Sequence, residues 1–398
     1  MATAPTRKTS QRNAIIDALR GLAIVLVVLH HTGLRFPLKQ TVLADWLPTR
    51  LLNSLIYNGY EAVFVFFVIS GFLITSISLD RWGSLNRINI KSFYGRRIAR
   101  IVPCLLLLVI TLSVLHLLNL KYYAIAREGQ SLGGAIFSAL GMHLNWYEGR
   151  TGYLPGGWDI LWSLSIEETF YLALPIFCLF IRSRWLFISL LLLLALSLPL
   201  THAAPEGDEI WQEKAYLPGM AAIATGVLTA LIAQSASAHS AKRFKHHGKL
   251  LLIGSLGLLA VFCFEDILWK FLRDSTLLVL TIATACLLLG AHCRYLYQPD
   301  LQPIPGTRWL CIMGRQSYEI YLTHMFVVFG IVSTAAMIGT TKTIGFIWYL
   351  PAVALSWLLG ATVEKWYSRP CDEYLRGQLV DSQSSMLPHT SITESDVK

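Results

Sequence analysis

Apolar runs long enough to cross a lipid bilayer recur along this chain, and that recurrence constrains its fold more than any motif does. Segments of about 17 to 23 residues lie at roughly 14–33, 59–79, 99–118, 160–181, 185–201, 215–233, 250–266, 275–291, 316–338 and 343–364. Two of them contain "CLLLLVITLSVLHLL" (Cys104–Leu118) and "LFISLLLLLALSLPL" (Leu186–Leu200). Charged residues make up 14% of the 398, against about 25% in soluble domains. A large soluble fold is excluded on those terms. Lipid offers the backbone no hydrogen-bond partner, so such a chain crosses as helices. The expectation is an all-α polytopic membrane protein with ten transmembrane helices.

The basic residues orient it. With the N-terminus cytoplasmic and ten crossings, 22 of the 33 Lys and Arg fall in cytoplasmic loops and 10 in outer loops. That bias is the positive-inside pattern, and it places both termini in the cytoplasm. An eleventh apolar stretch, "SLGGAIFSALGMHLNW" (Ser131–Trp146), would reverse the bias if it crossed. It is expected to be a re-entrant or interfacial helix, with 119–159 forming a cavity wall or mouth. The first apolar run contains Arg20 and is followed by no small-residue cleavage site, so it reads as a retained span. The resulting division is a cytoplasmic tail over 1–12, a membrane domain over 13–370 and a polar, disordered cytoplasmic tail over 371–398.

The net charge of +9 is spread through short loops. It reads as an orientation signal and not as a nucleic-acid surface. The seven cysteines show no metal-ligand spacing, and no metal is expected.

Titratable groups inside apolar runs are costly and therefore informative. In "DALRGLAIVLVVLHHTG" (Asp17–Gly33), Arg20 and His31 are eleven residues apart. That is about three turns with little residual rotation, so both side chains share one face, roughly 16 Å apart along the axis. Snorkelling toward either surface explains each residue alone. The shared face suggests a ligand lying along the helix, with charge recognition at one end and proton chemistry at the other. "KSFYGRRIARIVP" (Lys91–Pro103) places Arg96, Arg97 and Arg100 at the start of the third span. They read as membrane anchors or as a phosphate clamp. "WDILWSLSIEETFYLALP" (Trp158–Pro175) places Glu167 and Glu168 among aromatics. A structural ion pair is one reading. A His31–Glu168 pair, with the carboxylate orienting a general base, is the other. "GRQSYEIYLTH" (Gly314–His324) adds Ser317, Glu319, Tyr321 and His324, the last either packed or catalytic. Ser70-Gly71 in the second span reads first as close helix packing.

At these residues the chain resembles the membrane-bound acyltransferase-3 family, which includes bacterial O-acetyltransferases of surface and exported polysaccharides. The resemblance is carried in order by "DALRGLAIVLVVLHH", "VFVFFVISGFLI", "FYGRRIARIVP", "WSLSIEETFYLALP", "SYEIYLTH" and "VEKWYSRP", over about residues 13–370. It implies that the family's Arg-x10-His pattern falls on Arg20 and His31, and its Arg-x-x-Arg pattern on Arg97 and Arg100. The Trp-Ser-Leu-Ser-x-Glu-Glu signature falls on Trp162–Glu168, and Ser-Tyr-x-x-Tyr-Leu-x-His on Ser317–His324. Thr169 stands where relatives usually have Gln, and "YLPGMAAIATG" lacks an Arg and a Glu often found there. Many relatives append an esterase-like domain. None is read in this sequence, so it is expected to act alone or to hand its product to partners.

The implied activity is transfer of an acyl group, acetyl by family default, from cytoplasmic acyl-CoA to a glycan hydroxyl. His31 would be the general base and Glu168 its partner. Arg20, Arg96, Arg97 and Arg100 would hold the CoA. Ser70, Trp162, Ser165, Glu167, Tyr171, Tyr318, Tyr321 and His324 would support the site. Acetyl-CoA is a co-substrate, and no bound cofactor is implied. The partners would be a glycan or lipid-linked oligosaccharide, membrane lipids, and a second copy or polysaccharide export machinery. The location would be a bacterial cytoplasmic (inner) membrane. The rival reading is a glycan-lipid transporter or flippase, with Arg20, Glu168 and His324 as coupling residues and no CoA chemistry.

Overall fold

The computed structural model describes residues 13–204, 208–238, 247–298 and 305–380. Its described regular structure is helical throughout. The helices in chain order are α1 (Ala14–Gly33), α2 (Thr49–Ile56), α3 (Gly59–Trp82), α4 (Ile90–Leu117), α5 (Leu132–Leu140) and α6 (Leu144–Thr151). Next come α7 (Gly156–Asp159), α8 (Leu161–Phe180), α9 (Arg184–Leu196), α10 (Leu198–Ala203), α11 (Glu209–Lys214) and α12 (Tyr216–Ala238). The last are α13 (His247–Leu272), α14 (Ser275–Tyr297), α15 (Arg308–Arg315), α16 (Ser317–Ile338), α17 (Tyr349–Val363) and α18 (Arg369–Leu379). A π-helical turn, Glu364–Ser368, joins α17 to α18.

Among the described residues, nine helical stretches are long and apolar enough to cross a membrane. They coincide with nine of the ten expected segments. The exception is 185–201. There α9 has 13 residues, about 20 Å of helix, and α10 follows after a break at Ser197 with Pro199 in its first turn. The stretch 131–146 forms α5 and the start of α6, helices of nine and eight residues that are too short to cross. Side chains such as Leu117, Phe180, Phe271 and Leu358 face outward from the bundle, as lipid contact requires.

The two described ends of the chain lie at the same end of the bundle, here termed proximal. The Asn13 side chain accepts from the Ile15 amide and donates to the Ala291 carbonyl, tying the start of α1 to the C-terminal part of α14. The Cys311 thiol donates to the Ala14 carbonyl, and Trp357 of α17 donates to Gln316 at the start of α16. Tyr367 donates to the Pro103 carbonyl of α4, and α18 packs on α4 at Gly95. At the opposite, distal end His202 of α10 bonds Asp274, which precedes α14. The α9–α10 pair therefore runs from the proximal end of α8 to the distal end in two pieces.

Residues 371–379, expected within a disordered tail, belong to α18. An Asp372–Arg376 pair at i, i+4 supports the helix, and contact with α4 buries part of it. Residues 1–12 and 381–398 lie outside the described residues.

Candidate functional site

One face of α3 builds a long cavity. Val63, Phe66, Phe67, Ser70, Leu73, Ile74, Ile77, Arg81 and Trp82 recur at three- and four-residue steps and all line it. From Val63 to Trp82 the stripe covers twenty residues, whose nineteen steps span about 28 Å of helix axis. The opposite walls come from α1, α4, α8, α16 and α18, and the cavity volume is about 480 Å3. Its proximal part carries Arg81, Arg96 and Arg376, and its distal part Ser163 and Tyr321. The close approach of helices that shapes it depends on small residues. A Cβ at Gly71 would stand 2.0 Å from the Ile223 carbonyl oxygen of α12. Ser70, one residue earlier, turns into the cavity.

Ten of the fourteen residues to which the family resemblance assigns a role line this cavity: Arg20, Ser70, Arg96, Arg97, Arg100, Glu167, Glu168, Tyr171, Tyr318 and Tyr321. Arg20 donates to Ser317 Oγ at 2.9 Å, which joins α1 to α16. Arg97 lies over the Tyr171 ring, 3.8 Å from its centroid. The Glu167 and Glu168 side chains stand beside it. Ser70, Tyr171 and Glu167 form one hydrogen-bonded cluster. Arg96 Nε donates to Ser92 Oγ at 3.4 Å. Arg100 pairs with the fully buried Glu319 at 2.8 Å, and Ser368 of the π-turn donates to the same carboxylate at 2.6 Å. Tyr318 donates to the Ile101 carbonyl and lies beneath Arg100.

Trp162 and Ser165 do not line the cavity. Trp162 packs against Tyr60 and Phe67, both at 6.2 Å between ring centroids. Ser165 accepts from the Leu144 amide at 3.2 Å and donates to the Leu161 carbonyl, anchoring α6 to α8.

His31 and His324 stand beyond the distal end, with ring centroids 5.1 Å apart. Tyr321 separates them from the cavity. Its hydroxyl bonds Ser163 at 2.7 Å and the Ile160 carbonyl at 2.9 Å, while its own carbonyl accepts from His324 Nδ1 at 2.7 Å. That bond assigns the His324 proton to Nδ1 and leaves Nε2, buried and without a partner among the described residues, as an acceptor. His30 is engaged elsewhere. Its Nδ1 bonds the Ile56 carbonyl at 3.2 Å, and its ring lies where a Cβ on Gly59 would be. Of the two adjacent histidines, His31 is the one that meets a second titratable side chain of the site.

The expected His31–Glu168 pair does not form. The charged and titratable groups acting on His31 are His324, His30, Arg35 and Lys214, whereas Glu168 faces Arg97 and Glu167. The depths expected to match do not: Glu168 lies five residues proximal of Ser163 on α8 and lines the cavity, whereas His31 stands beyond its distal end. In addition, α1 packs on α3, α15, α16 and α17, and α8 turns its carboxylates toward α4.

Three features escaped sequence reasoning. Arg81 and Arg376 line the cavity but read in the sequence as loop and tail charges. Glu319 pairs with Arg100 across 219 residues, which no spacing reveals. Near His31, Lys214 is buried between Glu148, at 2.8 Å, and Asp159. Burial and Asp159 push the Glu148 carboxyl well above the ordinary carboxylate range, with Lys214 pulling it down.

Comparison with known proteins bears on this arrangement. A family model described as an acyltransferase domain, acyltransferase-3, matches residues 13–363. The peptidoglycan O-acetyltransferase OatA of Listeria monocytogenes serovar 1/2a (strain EGD-e) is 27% identical over 223 residues, 54% of this chain and 31% of that protein. The O-acetyltransferase OatA of Staphylococcus aureus (strain NCTC 8325) is 24% identical over 338 residues, 78% of this chain and 49% of that protein. The chain thus spans about half or less of these curated relatives. No solved structure matches it. The family match runs from the residue that caps α1 to the last residue of α17, and so takes in Arg20, His31, the α4 arginines, the paired glutamates and His324: the chain belongs to the membrane-bound acyltransferase-3 family.

Proposed function

We propose that this protein is a membrane O-acyltransferase that moves an acetyl group from cytoplasmic acetyl-CoA to a hydroxyl of a cell-surface, exported or lipid-linked glycan. The observation that carries the reading is the polarity of the cavity. Guanidinium groups crowd its proximal part, and hydroxyls and then a histidine pair follow at its distal end. Guanidinium forks suit phosphates, so CoA enters proximally with its pantetheine arm along α3 and its thioester toward Tyr321. Arg97 and Arg100 take the diphosphate, with Arg96 near the mouth, and Arg20 contacts the arm beyond. The relatives' names support an acetyl donor group, and the name of the Listeria protein supports a glycan acceptor.

His31 acts as general base. It takes the proton of the acceptor hydroxyl as that oxygen attacks the thioester carbonyl. The C–S bond then breaks, and the proton passes to the departing CoA thiolate. His324, held by the Tyr321 carbonyl, positions His31 in the role first expected of Glu168. Glu168 instead balances Arg97 inside the cavity.

The chain crosses the bacterial cytoplasmic membrane ten times, α9 and α10 together making one crossing, with both termini in the cytoplasm. Support comes from the placement of residues 13 and 380 at the same, proximal end and from the loop charge bias.

The test is CoA release from acetyl-CoA by purified protein in the presence of an acceptor glycan. Wild-type turnover with loss in His31→Ala is expected. Undiminished turnover in His31→Ala removes the base role. A protein that moves glycan lipid without consuming acetyl-CoA is instead a flippase.

A further inference from the structure

The proximal mouth of the cavity holds more positive charge than a diphosphate needs. Six arginines line the cavity: Arg20, Arg81, Arg96, Arg97, Arg100 and Arg376. The deeper ones are built into the wall, Arg97 on Tyr171 and Arg100 on Glu319. Arg81 and Arg376 approach from different elements, α3 and α18, and line the proximal part of the cavity with Trp82 and Phe93. Arg81 lies 5.7 Å over the Trp82 ring, whose centroid is 6.4 Å from that of Phe93. Aromatic faces beside guanidinium groups suit a purine base carrying a phosphate.

Arg376 is there because α18 is docked. Leu379 and Val380 pack on Gly95 of α4, leaving 3.3 Å for any Cβ at that glycine. Asp372 accepts from Arg376 Nε at 2.7 Å, which orients the guanidinium while leaving its Nη groups to bond elsewhere. The residue lies thirteen positions past the end of the family match at 363. An element outside the family-wide domain therefore contributes to the cavity mouth.

We propose that Arg81 and Arg376, with Trp82, form a subsite for the 3′-phosphorylated adenosine end of the donor, so that the enzyme selects CoA over 3′-dephospho-CoA. This rests on the acyl-CoA reading above. In that pose the dianionic 3′-phosphate sits at the mouth, and the uncharged arm and thioester continue past Ser70 toward Tyr321. The cavity follows α3 for about 28 Å, enough to keep the two ends of such a donor apart.

The experiment compares acetyl-CoA with acetyl-3′-dephospho-CoA as donors for the purified full chain. Wild type is expected to show a KM about tenfold lower for acetyl-CoA, the worth of one charge-assisted contact. Arg376→Gln and Arg81→Gln are each expected to shrink that preference toward one, and Arg376→Lys to retain part of it. Equal KM values for the two donors in wild type overturn the subsite while leaving the acyl-CoA reading intact. So does a preference that survives both Gln variants. If neither donor releases CoA, the acyl-CoA reading fails and the subsite with it.

Discussion

His31 and His324 face each other with ring centroids 5.1 Å apart, although 293 residues separate them in the chain. The Tyr321 carbonyl holds the His324 proton on Nδ1, so His324 presents a lone pair at Nε2. An imidazole so fixed can orient its neighbour and accept charge from it. The two are expected to act as a unit. His31→Ala should lower kcat by about 10²- to 10⁴-fold, the usual worth of a general base. His324→Leu should also lower kcat, and the double variant should be little worse than His31→Ala alone. His324→Asn, which keeps a donor for the Tyr321 carbonyl, should recover part of the loss. Losses that multiply in the double variant would show that the histidines act independently.

Arg100 and Glu319 form the cavity's most buried ion pair, with Glu319 fully enclosed and Ser368 completing its hydrogen bonds. Removing the cation alone leaves a carboxylate without its counter-charge, which costs about 3–5 kcal/mol in such pairs. Arg100→Met is therefore expected to lower the thermal stability of the detergent-solubilised protein sharply. Arg100→Met/Glu319→Leu should recover most of that stability without restoring donor affinity. A single variant as stable as wild type would show that the pair contributes nothing net to stability.

Much of this arrangement is legible in the sequence, and what is not has identifiable causes. Helices α1, α3, α4 and α16 follow from apolar length alone. Segment 185–201 reads as one span because hydropathy runs through Ser197 and Pro199, yet Pro199 lacks the amide that would continue α9. The polar composition beyond residue 370 hides α18, whose stability comes from packing on α4 and not from its own apolar content. The site residues are recognisable because titratable groups are costly in apolar runs. Their partners are not, since position along one helix fixes neither depth relative to another helix nor which helices are neighbours. His31 and Glu168, expected at one depth, differ in depth and face different elements. Arg376 carries no local signal at all, because its role depends on where α18 docks.

Gly21 and Gly314 bring α1 and α15 into backbone contact. A Cβ at Gly21 would stand 2.0 Å from the Leu310 carbonyl oxygen, and one at Gly314 would stand 1.8 Å from that of Asp17. No side-chain rotation relieves either clash, so the helices must separate. Arg20 adjoins this contact and reaches Ser317 just beyond α15. Gly21→Ala and Gly314→Ala are thus expected to destabilise the protein, and to raise the KM for acetyl-CoA more than they lower kcat. Normal stability with normal KM would show that the helix contact has room the geometry does not reveal.

Lys214, Glu148 and Asp159 place one buried cation between two carboxylates near the histidine pair. Burial and Asp159 already hold the Glu148 carboxyl above the ordinary carboxylate range, against the pull of Lys214. Lys214→Met removes that pull and raises it further. A carboxyl whose folded pKa exceeds its unfolded value favours the fold while protonated. That contribution is complete below the unfolded value, about 4.3 for glutamate, and is lost as pH rises through the folded value. Lys214→Met should therefore be nearest to wild-type stability in acid and should fall away from it as the pH rises. Lys214→Met/Glu148→Gln lacks the carboxyl that titrates, so its melting temperature should depend less on pH. Thermal melts of the three proteins across that range decide the matter. Parallel curves for the single and double variants would show that Glu148 does not titrate across that range.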